Sequence, residues 1–571
     1  MNTNLQFRVL YRQFLFRLMD VELLAASARG DASQLFGQFA SLLLLVSVIF
    51  AWGAAVYAAN PKLPEEVAAS AWSVEHLMVE ITMLVVGIFA VFSWDSTFLD
   101  RRDVLVLAPL PVRGRTLFAA KIAAVASALG LTVAVLNCLS AFAWPMALAP
   151  AGSGILGSLR FMAAFWIVLP AAGAFLYCAI LGVQGVAAQL PRGWFLRVSS
   201  FLQIAAFALF LGVVLLEPSF TTAKALGAAE NQRMLAWLPS YWFMGLLSEL
   251  SGAFPGEAHA VMAPLAWRAL AGMAVAIFVA GGAFLLSYLR TLRKIAEEPD
   301  IVPGSRGGIW LPRFGNSQQT ALTQFVIRTL GRSRQHRMNL AFYLGIGFAF
   351  TAAIVEEALE IKHRTGSDVL RQVMNVPMLF SSLLMLCAWV MGTRVAFSRP
   401  LDLRANWLFR VTPVRGGAVC LSATRRALLA LSVFPVCAGT VALFLWYWPW
   451  PAVAKHVLLL ALIGSLLVDL SLTGFRKIPF TCSYLPGKTR FHITFWASLM
   501  LWVVFLIKCV QFEQWIMTDT LLYGEAVLIL AGAAFAVRKF SNRSADRDGR
   551  EIQYEESPSD ELIGLGLGGP A

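Results

Sequence analysis

Charge is what this chain has least of: 14% of its 571 residues are Asp, Glu, Lys or Arg, against about a quarter in an ordinary soluble domain. With 58% apolar residues, that scarcity excludes a plain cytosolic enzyme. Cysteine is sparse and scattered. Of seven in all, Cys138, Cys178, Cys387, Cys437 and Cys509 fall inside apolar runs, so neither a disulfide framework nor a CxxC zinc site is written here. No cleavable leader is expected, because the first strongly apolar run begins only near Leu35. HExxH, a nucleophile elbow and a basic stripe interleaved with aromatics are all missing, which leaves no zinc protease, hydrolase or nucleic-acid signature. A phosphate-cradling loop is missing too. Its nearest approach, Thr481-Cys482-Ser483-Tyr484-Leu485-Pro486-Gly487-Lys488-Thr489, has Cys482 in place of the first Gly and lies between apolar runs, not between a strand and a helix. The acidic run Glu356, Glu357 and Glu360 with His363 lacks a second histidine at ligand spacing, so no metal site is expected.

What is abundant is apolar sequence in long runs. A hydrocarbon core of about 30 Å needs roughly 20 apolar residues per helix, and twelve stretches approach that length: 35–58, 74–94, 117–144, 161–186, 198–216 and 270–289, then 340–355, 376–397, 427–448, 457–475, 493–507 and 522–537. The net charge of +13 sits in the short segments between them. With the N-terminus inside, 34 of the 46 Lys and Arg fall on the inner side and 10 on the outer, leaving Lys121 and Arg394 within spans. The expectation is an all-α, polytopic membrane protein of about twelve helices with both termini cytoplasmic. The eighteen Trp lie mostly at span ends, notably Trp446, Trp448 and Trp450, where anchoring in the interface explains them.

The chain also repeats itself. Asp100, Arg102, Pro111, Val112, Arg113 and Gly114 meet Asp402, Arg404, Pro413, Val414, Arg415 and Gly416 at a constant offset of 302. Six identities in the 17 positions from Asp100 to Thr116 exceed the roughly one that chance would give. The same offset carries the first span onto the seventh and the second onto the eighth. Six spans per half is an even number, so the halves run parallel, related by an axis along the membrane normal. An amphipathic basic stretch precedes each half. In the first, Phe7, Leu10, Tyr11, Phe14 and Leu18 share a face with Arg8 and Arg12 off it; in the second, Leu322, Phe325, Val326 and Leu330 precede Arg332, Arg334 and Arg337. The organisation read from this is an N-terminal interfacial segment 1–34, a first half 35–290, a linker with a second interfacial helix 291–338, a second half 339–537 and a polar tail 538–571. The tail is expected to be disordered.

In these respects the sequence resembles the membrane-spanning permease subunits of ATP-binding cassette exporters, in the type-two branch. The resemblance implies a connecting helix at about 6–19 and a cytoplasmic coupling helix at 99–116, seated on an ATPase subunit. It also implies an outer re-entrant hairpin within 217–268, anchored by Trp237-Leu238-Pro239-Ser240-Tyr241-Trp242-Phe243-Met244. The second half departs from the pattern, since only 508–520 separates its last two spans. On this resemblance the coupling residues are Asp100, Arg102, Pro111, Val112, Arg113 and Gly114 with Asp402, Arg404, Pro413, Val414, Arg415 and Gly416. Pro and Gly shape the turn into the next span, and each Arg pairs with acids on the partner or with lipid phosphate. The plainer reading of the arginines is the inside bias of positive charge. No soluble segment is long enough for a nucleotide-binding domain, so the chain itself is expected to bind no cofactor and to catalyse no hydrolysis. ATP and Mg would belong to a separate cassette ATPase, in two copies, at a bacterial inner membrane.

A twelve-helix transporter driven by an ion gradient is the alternative. Asp100-Arg101-Arg102 resembles the loop of major-facilitator transporters, but Ser96 and Asp103 stand where that family has Gly. Charges inside spans are costly, about 2.5–3.5 kcal/mol each on insertion scales, and so mark function or helix pairing. They are Glu80, which shares a helix face with His76 four residues away, Asp469, and less deeply Glu525. Glu80 and Asp469 are the candidate pathway residues. No basic residue in its own span neutralises Asp469.

Overall fold

The architecture is seen in a computed structural model. It describes residues 3–19, 32–59, 64–97, 113–148, 154–190, 192–217, 220, 223–252, 257–294, 370–398, 491–517 and 519–547, with 313–351 and 409–481 in part. Among the described residues every regular element is helical. Eight helices are long and apolar enough to cross a membrane: Ala71–Phe92, Gly114–Asn137, Gly154–Ala187, His259–Leu286, Val376–Phe397, Gly417–Phe444, Trp450–Ser471 and Thr520–Arg543. These are the spans of an integral membrane protein. The chain divides into two compact units, Met1–Gly304 and Ser305–Ala571, at a boundary inside the Pro- and Gly-rich stretch.

In the first unit, α1 (Thr3–Met19), α2 (Ala32–Ala59) and α3 (Pro64–Phe92) precede α4 (Gly114–Asn137), α5 (Ser140–Leu148) and α6 (Gly154–Ala187). Then follow α7 (Arg192–Leu216), the short α8 (Ala223–Gly227) and α9 (Ala229–Trp237), α10 (Pro239–Ser251) and α11 (Glu257–Lys294). The core gathers Val79, Val86 and Phe89 of α3, Phe165, Val168 and Ala172 of α6, Phe243 and Leu247 of α10, and Ala266 and Ala269 of α11. Small residues allow the tightest crossings. A Cβ on Gly245 would stand 2.7 Å from the Met262 carbonyl oxygen, so α10 meets α11 backbone to backbone. Gln203 of α7 donates to the Val91 carbonyl at 2.7 Å, supplying a partner that the C-terminus of α3 lacks, and Gln184 of α6 donates to the Trp94 carbonyl just beyond it.

The third apolar run, expected to be continuous over 117–144, is broken at Cys138 and Leu139. Ser47 Oγ of α2 accepts the backbone N–H groups of Leu139 and Ser140 at 3.0 and 3.2 Å, which starts α5 as a separate helix.

The second unit contains α12 (Ser317–Arg332), α13 (Leu370–Phe397), α14 (Gly417–Phe444), α15 (Trp450–Ser471), α16 (Phe491–Met517) and α17 (Thr520–Arg547). Its core joins Leu383, Leu386 and Val390 of α13, Leu428, Val433 and Val436 of α14, Leu460 and Val468 of α15, and Leu506 and Val510 of α16. Within α14 the stretch Leu429–Val433 widens to a π-turn, closed by the Phe434 N–H on the Leu429 carbonyl. Pro435 follows directly. It has no N–H to give and its ring crowds the preceding turn, so the widening relieves it. α16 runs on to Met517 and α17 begins at Thr520. The segment 508–520, expected as an outer connection, is therefore mostly helix.

Candidate functional site

Of the expected coupling residues, Asp100, Arg102, Pro111 and Val112 lie outside the described residues, as do Asp402, Arg404, Pro413, Val414, Arg415 and Gly416. Arg113 and Gly114 are described, and both are exposed. Arg113 has extended backbone (φ −70°, ψ 132°) and stands immediately before α4, its carbonyl accepting the N–H groups of Thr116 and Leu117. The acidic run 356–363 and the loop 482–489 also lie outside the described residues.

Each unit lays an amphipathic helix on the first turns of the helix that follows the Pro-Val-Arg-Gly motif in sequence. In the first unit, Leu10, Phe14 and Leu18 of α1 pack on Leu117, Ala120 and Ala124 of α4. Lys121, fully buried, lies over the Phe14 ring at 4.5 Å, and the Tyr11 hydroxyl donates to Ser127. In the second, Leu322 of α12 packs with Cys420 and Ala423 of α14, while Val326 and Leu330 join the core beside Ala427. Gln319 donates to Ser422 at 2.8 Å, Thr323 to the Ala423 carbonyl at 3.3 Å, and Arg426 to Gln319 at 2.9 Å. Asn316 and Gln319 form a capping box that starts α12.

Three buried polar clusters carry the remaining chemistry. The first surrounds His76 and Glu80, one turn apart on α3. The His76 ring stacks on Tyr241 of α10 at 4.1 Å between centroids. Its Nε2 is 3.3 Å from Glu217 Oε1, just past α7, and its Nδ1 is 3.9 Å from Glu80 Oε2. Ser240 donates its hydroxyl to the same Glu217 oxygen. Glu75 Oε2 and Glu80 Oε1 are buried without a hydrogen-bond partner. Burial pushes the Tyr241 phenol up, as do the nearby Glu217 and Glu80 carboxylates, against the Phe220 N–H that donates to it. Tyr241 therefore remains a neutral phenol. Two carboxyl groups thus face the two ring nitrogens of one imidazole, Glu217 within hydrogen-bond distance and Glu80 beyond it.

The second cluster was not legible in the sequence. His456 of α15, fully buried, places Nδ1 2.5 Å from Glu513 Oε1 of α16 and Nε2 2.9 Å from Ser382 Oγ of α13. Phe444 stacks on the ring at 5.3 Å and Trp448 meets it edge-on at 5.9 Å. This has the order of an acid, base and hydroxyl relay. However, Ser382 Oγ also reaches the Leu379 carbonyl of its own helix at 3.0 Å, and the packed aromatics leave it the character of a three-helix tie.

Asp469, fully buried on α15, forms the third. Arg425 Nε of α14 donates to its Oδ1, and Arg538 Nε of α17 stands 3.5 Å from its Oδ2. Neutralising charge comes from neighbouring helices, which explains why none was visible in its own span. Arg394, a further charge inside a span, donates to the Ser471 carbonyl at the end of α15 and lies over the Phe475 ring at 4.4 Å. That is C-terminal capping by a cation. Glu525 is exposed on α17.

Among the described residues no group of His, Cys, Asp and Glu is arranged to hold a metal ion. No family model, curated protein or solved structure matches the chain.

Proposed function

We propose that the chain is the membrane-spanning permease of an ATP-driven exporter of the cassette type, with two six-helix halves fused in parallel and both termini cytoplasmic, in a bacterial inner membrane. The observation that carries this reading is the paired helix seat. Leu10, Phe14 and Leu18 of α1 have the burial of Leu322, Val326 and Leu330 of α12 at a constant spacing of 312. Their targets correspond as well: Leu117, Ala120, Lys121 and Ala124 are buried on α4, and Cys420, Ala423, Thr424 and Ala427 on α14, at a spacing of 303. The extra residue relative to the motif offset of 302 is Gly417, which opens α14 as Gly114 opens α4. Two unlike sequences that keep one packing pattern support an internal repeat.

In this reading Asp100 to Gly114 and Asp402 to Gly416 form two cytoplasmic seats for two ATPase subunits. Nucleotide-driven closure of those subunits moves each seat, and the rigid helix pairs behind it pass the motion to the spans as rigid-body rocking. The α8–α10 segment of the first unit supports the outer hairpin, and the two-residue step from α16 to α17 fits its absence from the second. ATP and Mg belong to the partner. The substrate is left open by the residues.

A second reading, transport driven by an ion gradient, draws on one observation: His76 with carboxylates on both ring nitrogens in the first unit. Reconstitution separates the two. The chain with its ATPase should move substrate on addition of ATP in vesicles without a gradient, and Glu80→Gln should leave that rate within about twofold. Transport that runs on a proton gradient alone, and is lost in Glu80→Gln, would replace the first reading by the second.

A further inference from the structure

The Asp469 cluster is unbalanced in charge. The buried Arg425–Asp469 pair is joined at its edge by a second guanidinium, from the partly exposed Arg538, so that two cations meet one carboxylate. Among the described residues the other polar groups on it, Asn542 and Ser465, are neutral: Arg425 donates to Asn542 at 3.1 Å and Arg538 to Ser465 at 3.3 Å. Arg425 Nη2, Arg538 Nε and Asp469 Oδ2 are all buried with no hydrogen-bond partner. An uncompensated cation with an unused donor is costly in a low-dielectric layer. The cost falls if an anion docks on the side where the cluster opens, and it opens at Arg538, whose side chain is 43% exposed. Lys539 and Arg543 are exposed on the same turns of α17.

The surface leading to Arg538 is apolar. Leu521, Leu528 and Phe535 of α17 are all exposed, and their spacing of seven places them on one ridge of the helix, which runs along the membrane-crossing length and ends one turn before Arg538. Lys539 lies over the Phe535 ring at 5.8 Å, holding a second cation at the ridge's end. A ridge that accepts a hydrocarbon chain and ends in a fork of guanidinium donors matches one ligand class, a phospholipid with an anionic headgroup. We propose that Arg538, backed by the buried Arg425–Asp469 pair, is the seat of an anionic phospholipid, with its phosphate on the guanidinium and an acyl chain along Leu521, Leu528 and Phe535. The inference is independent of what the protein transports.

The test uses the purified full chain, depleted of lipid and titrated with short-chain phosphatidylglycerol, short-chain phosphatidylcholine or inorganic phosphate, with binding read by native mass spectrometry. The wild-type chain should prefer phosphatidylglycerol to phosphatidylcholine by about tenfold, the scale of one charge-assisted contact. Arg538→Gln should lose that preference. Arg538→Lys, which keeps the charge, should retain part of it, and Arg233→Gln, an exposed arginine remote in sequence on α9, should retain all of it. The proposal is overturned if Arg538→Gln keeps the wild-type preference, or if Arg233→Gln loses as much as Arg538→Gln. Displacement of the lipid by inorganic phosphate at equal concentration would also overturn it, by showing a free-anion site.

Discussion

At the scale of single residues, the buried charges divide by what surrounds them. Asp469 is held by arginines from two other helices, so removing its charge alone leaves Arg425 buried and unpaired. Asp469→Asn should cost about 3–5 kcal/mol, whereas the double change Asp469→Leu with Arg425→Met should cost much less, because it removes both charges from a low-dielectric site. Thermal unfolding of the detergent-purified variants measures both; equal losses in the two would sink this account of the pair. Tyr241 gives a prediction in pH. Its phenol is neutral in the fold and raised by burial, so the unfolded chain ionises first, above about pH 10. The folded state then binds more protons than the unfolded one, and stability falls as pH rises through that range. Tyr241→Phe should flatten this alkaline limb, seen as a smaller drop in unfolding midpoint between neutral and alkaline buffer than the wild type shows.

At the scale of elements, burial on one face makes α1 and α12 structural parts of the units rather than loose tails. Phe14 is almost wholly buried and also covers Lys121. Phe14→Ala should therefore cost about 3–5 kcal/mol, by lost apolar burial and the cavity left behind. Its counterpart Val326→Ala, a smaller side chain, should cost less. Protease protection of α1 in membranes reports the first directly, and unchanged protection would show that the seat contributes little. A bulkier residue at Gly245 should separate α10 from α11, since even a Cβ has no room there; Gly245→Leu should then fail to give a monodisperse chain. The amphipathic faces of α1 and α12 were legible in the sequence because helical spacing of large apolar residues is a local signal. The break at Cys138 was not, because it depends on Ser47 from another helix. Glu513 and His456 were missed for the same reason: 57 residues apart in the chain, they become partners only when α15 and α16 pack, and the isolated glutamate looked like loop. His76 and Glu80 were visible as a pair one turn apart, while Glu217 and Tyr241 arrived through the fold.

At the scale of the whole molecule, apolar composition and run length announced a helical membrane protein, and eight long apolar helices answer to it. The offset of 302 led to the expectation of two related halves; the structure gives the coarser statement, that the chain divides near its middle into two compact units. What composition cannot carry is the energy source of the proposed transport, because in this account it belongs to a partner. The central claim is that two cytoplasmic seats of this chain hold a cassette ATPase. Its most direct test is gentle purification of the tagged chain from its native membrane, followed by quantitative mass spectrometry of the proteins that travel with it. The account predicts one cassette ATPase at two copies per chain, about half of it lost in Arg113→Glu or in Arg415→Glu and nearly all in the double variant. A chain that purifies with no ATPase, or an ATPase whose amount is unchanged in the double variant, would contradict it.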